Sequence, residues 1–326
     1  MATARSWRNA PLAEGPHEIR REDVPALNQV FSDAFTERYR RDGMVGVRVP
    51  FLNPAIWRYA IEDADGGAML WRGERGDIVA FNIAHRSGTE GWMGPLAVKP
   101  EVQGSGVGKE IVRAGVAWLK GRGCDVIGLE TMPRTMDNIG FYSHLGFEPG
   151  RLTFTLTLDA VPGDRAALVL GRLPARDKDD FVQGCRLMVG ELLPGYDFTR
   201  EIVLTDQLVL GDTVMLRGPA SDEPAGFALC HTVPLVEGRV REELRVLKLV
   251  LRREADFEPM ARVLCDHARR CGTRRVAFRL QGEYTGVYAR LIAMGARVRW
   301  TDLRMTVAGH GERRPEEGVV LSNWEI

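Results

Sequence analysis

Few cysteines, no excess of charge and no long apolar run narrow this chain before any motif is considered. The five cysteines, Cys124, Cys185, Cys230, Cys265 and Cys271, are scattered without a short paired spacing, which argues against a zinc site or a disulfide framework. Small buried thiols are the expected role for them, ahead of nucleophiles. Lys plus Arg equals Asp plus Glu at 44 each, and no basic block stands out, so composition lends no support to a nucleic-acid or anionic-membrane surface. No apolar run reaches the roughly 20 residues of a spanning helix, and the polar start MATARSWRNAPLAEG lacks a signal-peptide core. A cytoplasmic protein without nucleic-acid or membrane partners and without a metal is expected. With 326 residues, 44% of them hydrophobic, the chain can bury a large core, and two domains are the default expectation.

What is present is the run AVKPEVQGSGVGKEIV from Ala97 to Val112, a predicted strand joined to a predicted helix by a glycine-rich loop. Gly104, Gly106 and Gly108 carry no Cβ, so their N–H groups can approach an anion closely. The helix beginning at Val107 adds free N-terminal donors and a favourable dipole. Spacing separates the nucleotide-binding patterns that compete for this loop. A Walker loop would need Gly at Gln103 and a hydroxyl residue at Glu110, and it fails at both. The dinucleotide fingerprint fails as well, because Gly104 and Gly106 are followed by Lys109, and Gly106 and Gly108 by Ile111. The pattern Gln-x-x-Gly-x-Gly, at Gln103, Gly106 and Gly108, does fit.

Val98, Pro100, Gln103, Gly104, Gly106 and Gly108 resemble, position by position, the acyl-CoA loop of the GCN5-related N-acetyltransferases (GNATs). A second motif follows in the order this family uses: NIGFYSHLGFEP supplies Asn138, Phe141, Tyr142, Gly146 and Phe147. The resemblance implies an α/β fold of the α+β mixed-sheet kind, acetyl-CoA as cofactor, and a primary amine as acceptor in a ternary complex. Leu96, Ala97 and Val98 are then the strand groups that meet the pantetheine arm, with Val98 N–H as the oxyanion donor. Gln103, Gly104, Ser105, Gly106, Val107, Gly108 and Lys109 form the pyrophosphate cradle, and Asn138 is a partner for the pantetheine amides. Lys109 and Arg113 are alternatively solvated helix positions.

Tyr142 is the candidate general acid, since a phenol can protonate a departing thiolate. Packing beside Phe141 is its bland alternative. Glu130, at the end of the following strand, is the first candidate for the base, and His85 and Glu90 come next. A salt-bridged strand end is the alternative for Glu130.

The order of elements suits this assignment. A short strand around Ile19, a helix from Glu22 to Phe35, a helical Pro54 to Ile61 and a hairpin turning at Gly73 to Gly76 precede the strand Trp92 to Val98. The helix Val107 to Arg122, a strand at Val126 to Leu129, the helix carrying Tyr142 and a strand Leu152 to Leu158 follow. The second half repeats this order: GDTVMLRG and EPAGFALCHT as a hairpin, LRVLKLVL, the helix FEPMARVLCDHARRC, VAFRL, GEYTGVYARLIAMGARV and DLRMTV. Its chemistry has gone, because RREADFE replaces the glycine loop and Leu291 stands where Tyr142 does. Tandem GNAT folds are therefore expected, with a catalytic unit at 1–160 and a degenerate unit at 161–326 divided near DAVPGDRAA. A homodimer is compatible with this layout.

Loops at Arg38 to Pro54 and Ser87 to Gly91 would choose the acceptor. Their mixed composition favours a small-molecule amine over a polycation. A protein or peptide N-acetyltransferase and a non-catalytic acyl-CoA sensor or scaffold are the alternatives. Mycothiol synthase shares the tandem layout, but its working unit is expected to be C-terminal, opposite to the motifs here.

Overall fold

The computed structural model describes residues 13–163, 167–218 and 223–325. Strand β1 (Glu14–Glu18) leads into α1 (Val24–Arg41), whose residues Leu27, Val30, Phe31 and Ala34 are buried, and α2 (Pro54–Asp63) follows, capped by Asn53. Strands β2 (Ala68–Arg72) and β3 (Ile78–Ser87) form the expected hairpin, and β4 (Glu90–Val98) pairs with β3. Next come α3 (Val107–Gly121), β5 (Val126–Thr131), α4 (Met136–Ser143) and β6 (Phe147–Asp159).

In the second half a two-residue strand β7 (Leu168–Val169) precedes the helices α5 (Ala175–Leu192) and α6 (Thr199–Gln207). Strands β8 (Gly211–Arg217), β9 (Pro224–His231) and β10 (Glu243–Leu251) then lead to α7 (Phe257–Arg270). β11 (Arg275–Gln281), α8 (Thr285–Ala293), β12 (Arg297–Val307) and β13 (Val319–Ser322) follow. The sequence pattern had identified neither the helix pair α5 and α6 nor β13. α5 and α6 strengthen the repeat, because they stand where α1 and α2 stand in the first half. The divide expected at DAVPGDRAA includes residues 164–166, which lie outside the described residues.

All strands join one mixed sheet in the order β1-β2-β3-β4-β5-β12-β6-β11-β10-β9-β8-β7, with β13 against β10. The order is palindromic in structure, with one half mirrored by the other. The last long strand of each half crosses over: β12 pairs with β5, and β6 pairs with β11. β12 and β6 pair with each other at the centre. One face of the sheet carries a core shared by both halves, in which Phe31, Trp57 and Phe81 are continuous with Phe181, Phe198, Phe227 and Trp324. On the other face, residues of α3 and α4 pack over the first half, and residues of α7 and α8 over the second.

Candidate active site

The strand ahead of the glycine loop splays as the family resemblance implies. β4 and β5 run parallel from Glu90↔Val126 to Met93↔Leu129, and their pairing then stops. β4 continues on β3 after a register shift between Asn82 and Ala84. Lys99 N–H donates to Val79 O at 2.8 Å, and hydrogen bonding alternates along an antiparallel pair. Ala97 therefore faces β3, while the N–H groups of Leu96 and Val98 point into the wedge that β5 leaves open. Val98 O is held from the loop by Gln103 Nε2 at 3.0 Å.

At the wide end of the wedge the glycine loop is built for close approach. Gly104 and Gly106 have φ of +83° and +101°, which L side chains rarely adopt, and a Cβ on either would meet no protein atom within 4 Å. The N–H groups of Gly104, Gly106, Val107 and Gly108 have no protein acceptor among the described residues, while Ser105 Oγ turns inward onto Val102 O. A cradle of unpaired donors at the start of a long helix fits a pyrophosphate. Lys109 and Arg113 are exposed beside it. A Cβ on Gly108 would lie 3.4 Å from the Phe141 ring, so the bare backbone there lets α4 close on α3.

Tyr142 is buried on α4 against Phe141 and Phe147, in the core that also contains Leu129. Burial raises its phenol above the usual value, so it stays protonated at neutral pH. Asn138 lies half-buried one turn earlier. The loop, the end of β4 and α4 thus meet on one side of the wedge.

Glu130 does not join them. It is the first β5 residue past the last β4 rung, and strand alternation sends its side chain to the face opposite Leu129. There its carboxylate accepts from Thr153 Oγ1 at 2.8 Å, from Arg304 Nε at 2.8 Å and from Arg279 Nη2. Burial pushes its pKa up, but the two guanidiniums outweigh that and hold it below the ordinary value. A carboxylate with both oxygens engaged and a lowered pKa is poorly suited to take a proton, which corrects the expectation of Glu130 as base. His85 and Glu90 are also committed. His85 contacts Asp63 Oδ2 at 2.7 Å and Gly94 O at 3.0 Å and stacks on Trp92, while Glu90 accepts from Ser322 and from Trp324 Nε1 at 2.9 Å.

Residues that local pattern could not indicate line this second face. Asp302 and Arg304 arrive on β12, and Glu325 follows β13. Oxygens of Glu130, Asp302 and Glu325 lie within 4.8 Å of one another, with Arg279 between them. The mouth is bridged by Arg134, which contacts Met44 Sδ at 2.9 Å and stacks over Trp300 at 5.4 Å, and by Thr135 Oγ1 donating to Asp42 at 3.0 Å.

The second half lacks an open wedge. β10 and β11 pair in parallel only from Glu243↔Arg275 to Arg245↔Ala277, as β4 and β5 do, but β13 then lies along β10 from Lys248↔Ser322 to Leu251↔Val319. Tyr284 locks this strand in place, its hydroxyl donating to Val320 O at 3.0 Å and accepting from Val320 N at 3.2 Å. All five thiols are unpaired; four are buried, and burial pushes Cys124 and Cys265 up to about 11, in keeping with structural roles.

Residues 26–147 match the family described as acetyltransferase (GNAT) family. The whole chain is similar in fold to a proposed acetyltransferase from Pyrococcus horikoshii, with TM-score 0.67, 15% identity and 99% of each chain covered. It is similar to a GCN5-related N-acetyltransferase from Sphaerobacter thermophilus, with TM-score 0.57, 16% identity, and 95% of this chain and 98% of that one covered. A tandem GNAT protein from the clavulanic acid biosynthesis pathway matches with TM-score 0.56 at 12% identity, covering 90% of this chain and 98% of that one. No curated protein matches the sequence. The family match thus lies in the first half of the chain, and the chain as a whole has the fold of these GNAT structures, a tandem one among them. The GNAT superfamily supports acyl transfer, and its fold generally binds acyl-CoA. No helix among the described residues is long and apolar enough to cross a membrane.

Proposed function

We propose that this chain is an acetyl-CoA-dependent N-acetyltransferase that moves an acetyl group directly to a primary amine of a small molecule. Residues 1–160 form the catalytic unit in this assignment, and 161–326 form a partner that binds no cofactor of its own. The observation that carries it is the contrast between two equivalent wedges. The one between β4 and β5 is open, with unpaired N–H groups and a glycine cradle, whereas β13 fills the one between β10 and β11.

The chain's own groups supply what the reaction needs. The free N–H groups of Gly104, Gly106, Val107 and Gly108 hold the pyrophosphate, and Leu96 and Val98 bond the pantetheine arm. Val98 N–H faces the thioester carbonyl oxygen as charge develops there. Tyr142, kept protonated by burial, supplies a proton to the leaving sulfur. Glu130 orders Arg279 and Arg304 beneath the far face. A small acceptor is supported by the bridged mouth, where Arg134 contacts Met44 and stacks over Trp300.

Calorimetric titration with acetyl-CoA, followed by thiol release with a panel of glucosamine, spermidine, tryptamine and a short peptide, tests this assignment. One equivalent bound per chain and turnover of a small amine are expected. Two equivalents would refute the silent second unit, and binding without turnover of any amine would point to an acyl-CoA sensor.

A further inference from the structure

The strand that fills the second wedge continues into the first. Past Ser322 the chain is fixed at each step. Asn323 N–H donates to Leu247 O at 2.9 Å, Trp324 lies buried with its indole N–H on Glu90 Oε1 at 2.9 Å, and Glu325 N–H donates to Asn323 Oδ1 at 3.1 Å. Trp324 packs under β5, and its carbonyl oxygen comes 3.6 Å from where a Cβ on Gly94 would stand. Gly94 is the first β4 residue beyond the last β4–β5 rung. The backbone itself therefore delivers the next residue, Glu325, to the apex of the open wedge, on the face opposite Tyr142.

Of the three carboxylates gathered there, Glu325 alone is accessible. Its side chain keeps 48% of its surface open, while those of Glu130 and Asp302 are 3% and 6% exposed. Glu130 is saturated by hydrogen bonds, and Asp302 accepts from Trp300 Nε1 and Arg279 Nη2, both at 3.1 Å. Glu325 has one described partner, Arg279 Nη1 at 2.8 Å.

Resting on the acetyltransferase assignment, we propose that Glu325 is the general base, taking the proton of the incoming ammonium at the mouth of the wedge. The ammonium passes one proton to a Glu325 carboxylate oxygen. The freed nitrogen lone pair then forms the C–N bond at the thioester carbonyl. The C–S bond breaks with its electron pair on sulfur, which takes the Tyr142 proton, and the second nitrogen proton restores the phenol as the amide forms. One proton leaves with Glu325 for solvent, as the net reaction requires.

The charged surroundings suit this role. Burial raises the Glu325 pKa, Arg279 on β11 and Arg245 on β10 lower it, and Asp302 on β12 and Glu130 on β5 raise it, leaving it at about 7. Tyr39 on α1 faces the same carboxylates: burial first, and then Glu325 and Asp302, push its phenol up. A carboxylate raised toward neutrality is a stronger base than an ordinary one and can still release its proton to solvent.

The test compares wild type, Glu325→Gln and Glu325→Asp with acetyl-CoA and whichever amine of the panel above turns over fastest. Glu325→Gln should lose about 100-fold or more in kcat/KM, within the usual range for one acid–base group. It should also lose the limb of the pH profile near 7, while calorimetric affinity for acetyl-CoA stays within threefold of wild type. Glu325→Asp should recover part of the rate and keep the limb. A Glu325→Gln enzyme with kcat/KM within threefold of wild type and an intact limb would overturn the role. So would a rate loss with the limb unchanged, which would mark Glu325 as structural. A wild type that binds no acetyl-CoA would instead sink the acetyltransferase assignment, and this role with it.

Discussion

Gly128 of β5 lies directly against the indole of Trp324, close enough that a Cβ on Gly128 would come within 2.7 Å of Trp324 Cη2. The missing side chain in one half is thus the seat for the tail of the other. Because Trp324 is fully buried and hydrogen-bonded to Glu90, it has little freedom to yield. Gly128→Ala is expected to destabilise the protein by about 1–3 kcal/mol through overpacking. A denaturant titration reads this, and a variant equal to wild type would show that the tail seat is soft.

The exchange of β6 and β12 ties the halves into one folding unit. Expressed alone, residues 1–160 would lack both β12 and β11, leaving one edge of β5 and both edges of β6 unpaired. That fragment is expected to be insoluble or aggregated, and co-expression with residues 161–326 should rescue it. A soluble monomeric fragment in size-exclusion chromatography, with native-like amide dispersion, would contradict this.

Two substitutions separate binding from chemistry at the open wedge. Gly106→Val places a branched side chain at φ +101° in the cradle, and acetyl-CoA affinity should fall at least tenfold with far-UV circular dichroism unchanged. Tyr142→Phe keeps the packing and should lower kcat by about 100-fold or more with little change in acetyl-CoA affinity. Equal kcat for Tyr142→Phe and wild type would remove the phenol from the mechanism.

Stability should carry the mark of Glu201. Burial and the nearby Asp63 carboxylate raise it from 4.5 to about 7, against the pull of Lys248 and Arg200 and the hydrogen bond from Ser87. The folded protein therefore holds a proton that the unfolded chain has released between about 4.5 and 7. Stability from this group is complete below the lower value and declines as pH rises to the upper one, by an amount on the order of 3 kcal/mol. Glu201→Gln abolishes the titration, so the melting temperature of the variant relative to wild type should be higher at pH 8 than at pH 5. A constant difference across that range would show that Glu201 does not titrate there.

The cradle was legible because its chemistry is local. Gln103, Gly106 and Gly108 act within one loop, Tyr142 within one helix turn, and the backbone follows from their spacing. Strands with clear alternation and helices with an apolar stripe were equally plain. α5 escaped notice because ARDKDDFVQGCRLMVGEL opens on a charged stretch, and its apolar stripe is filled only by packing against α6 and the sheet. Glu130 was misjudged because its partners, Arg279 and Arg304, stand 149 and 174 residues away. Nothing near it in the chain reveals that its charge is already neutralised.

By itself, then, the sequence determined what short-range geometry can determine: the repeat, the glycine loop, the tyrosine on α4 and the loss of both motifs in the second half. Tertiary structure alone decided which wedge stays open and what faces it. The strand exchange and the path of the last residues depend on pairing between segments far apart in sequence. Such contacts come from burying two half-sheets against each other, and no local pattern of residues encodes where the far strand will lie.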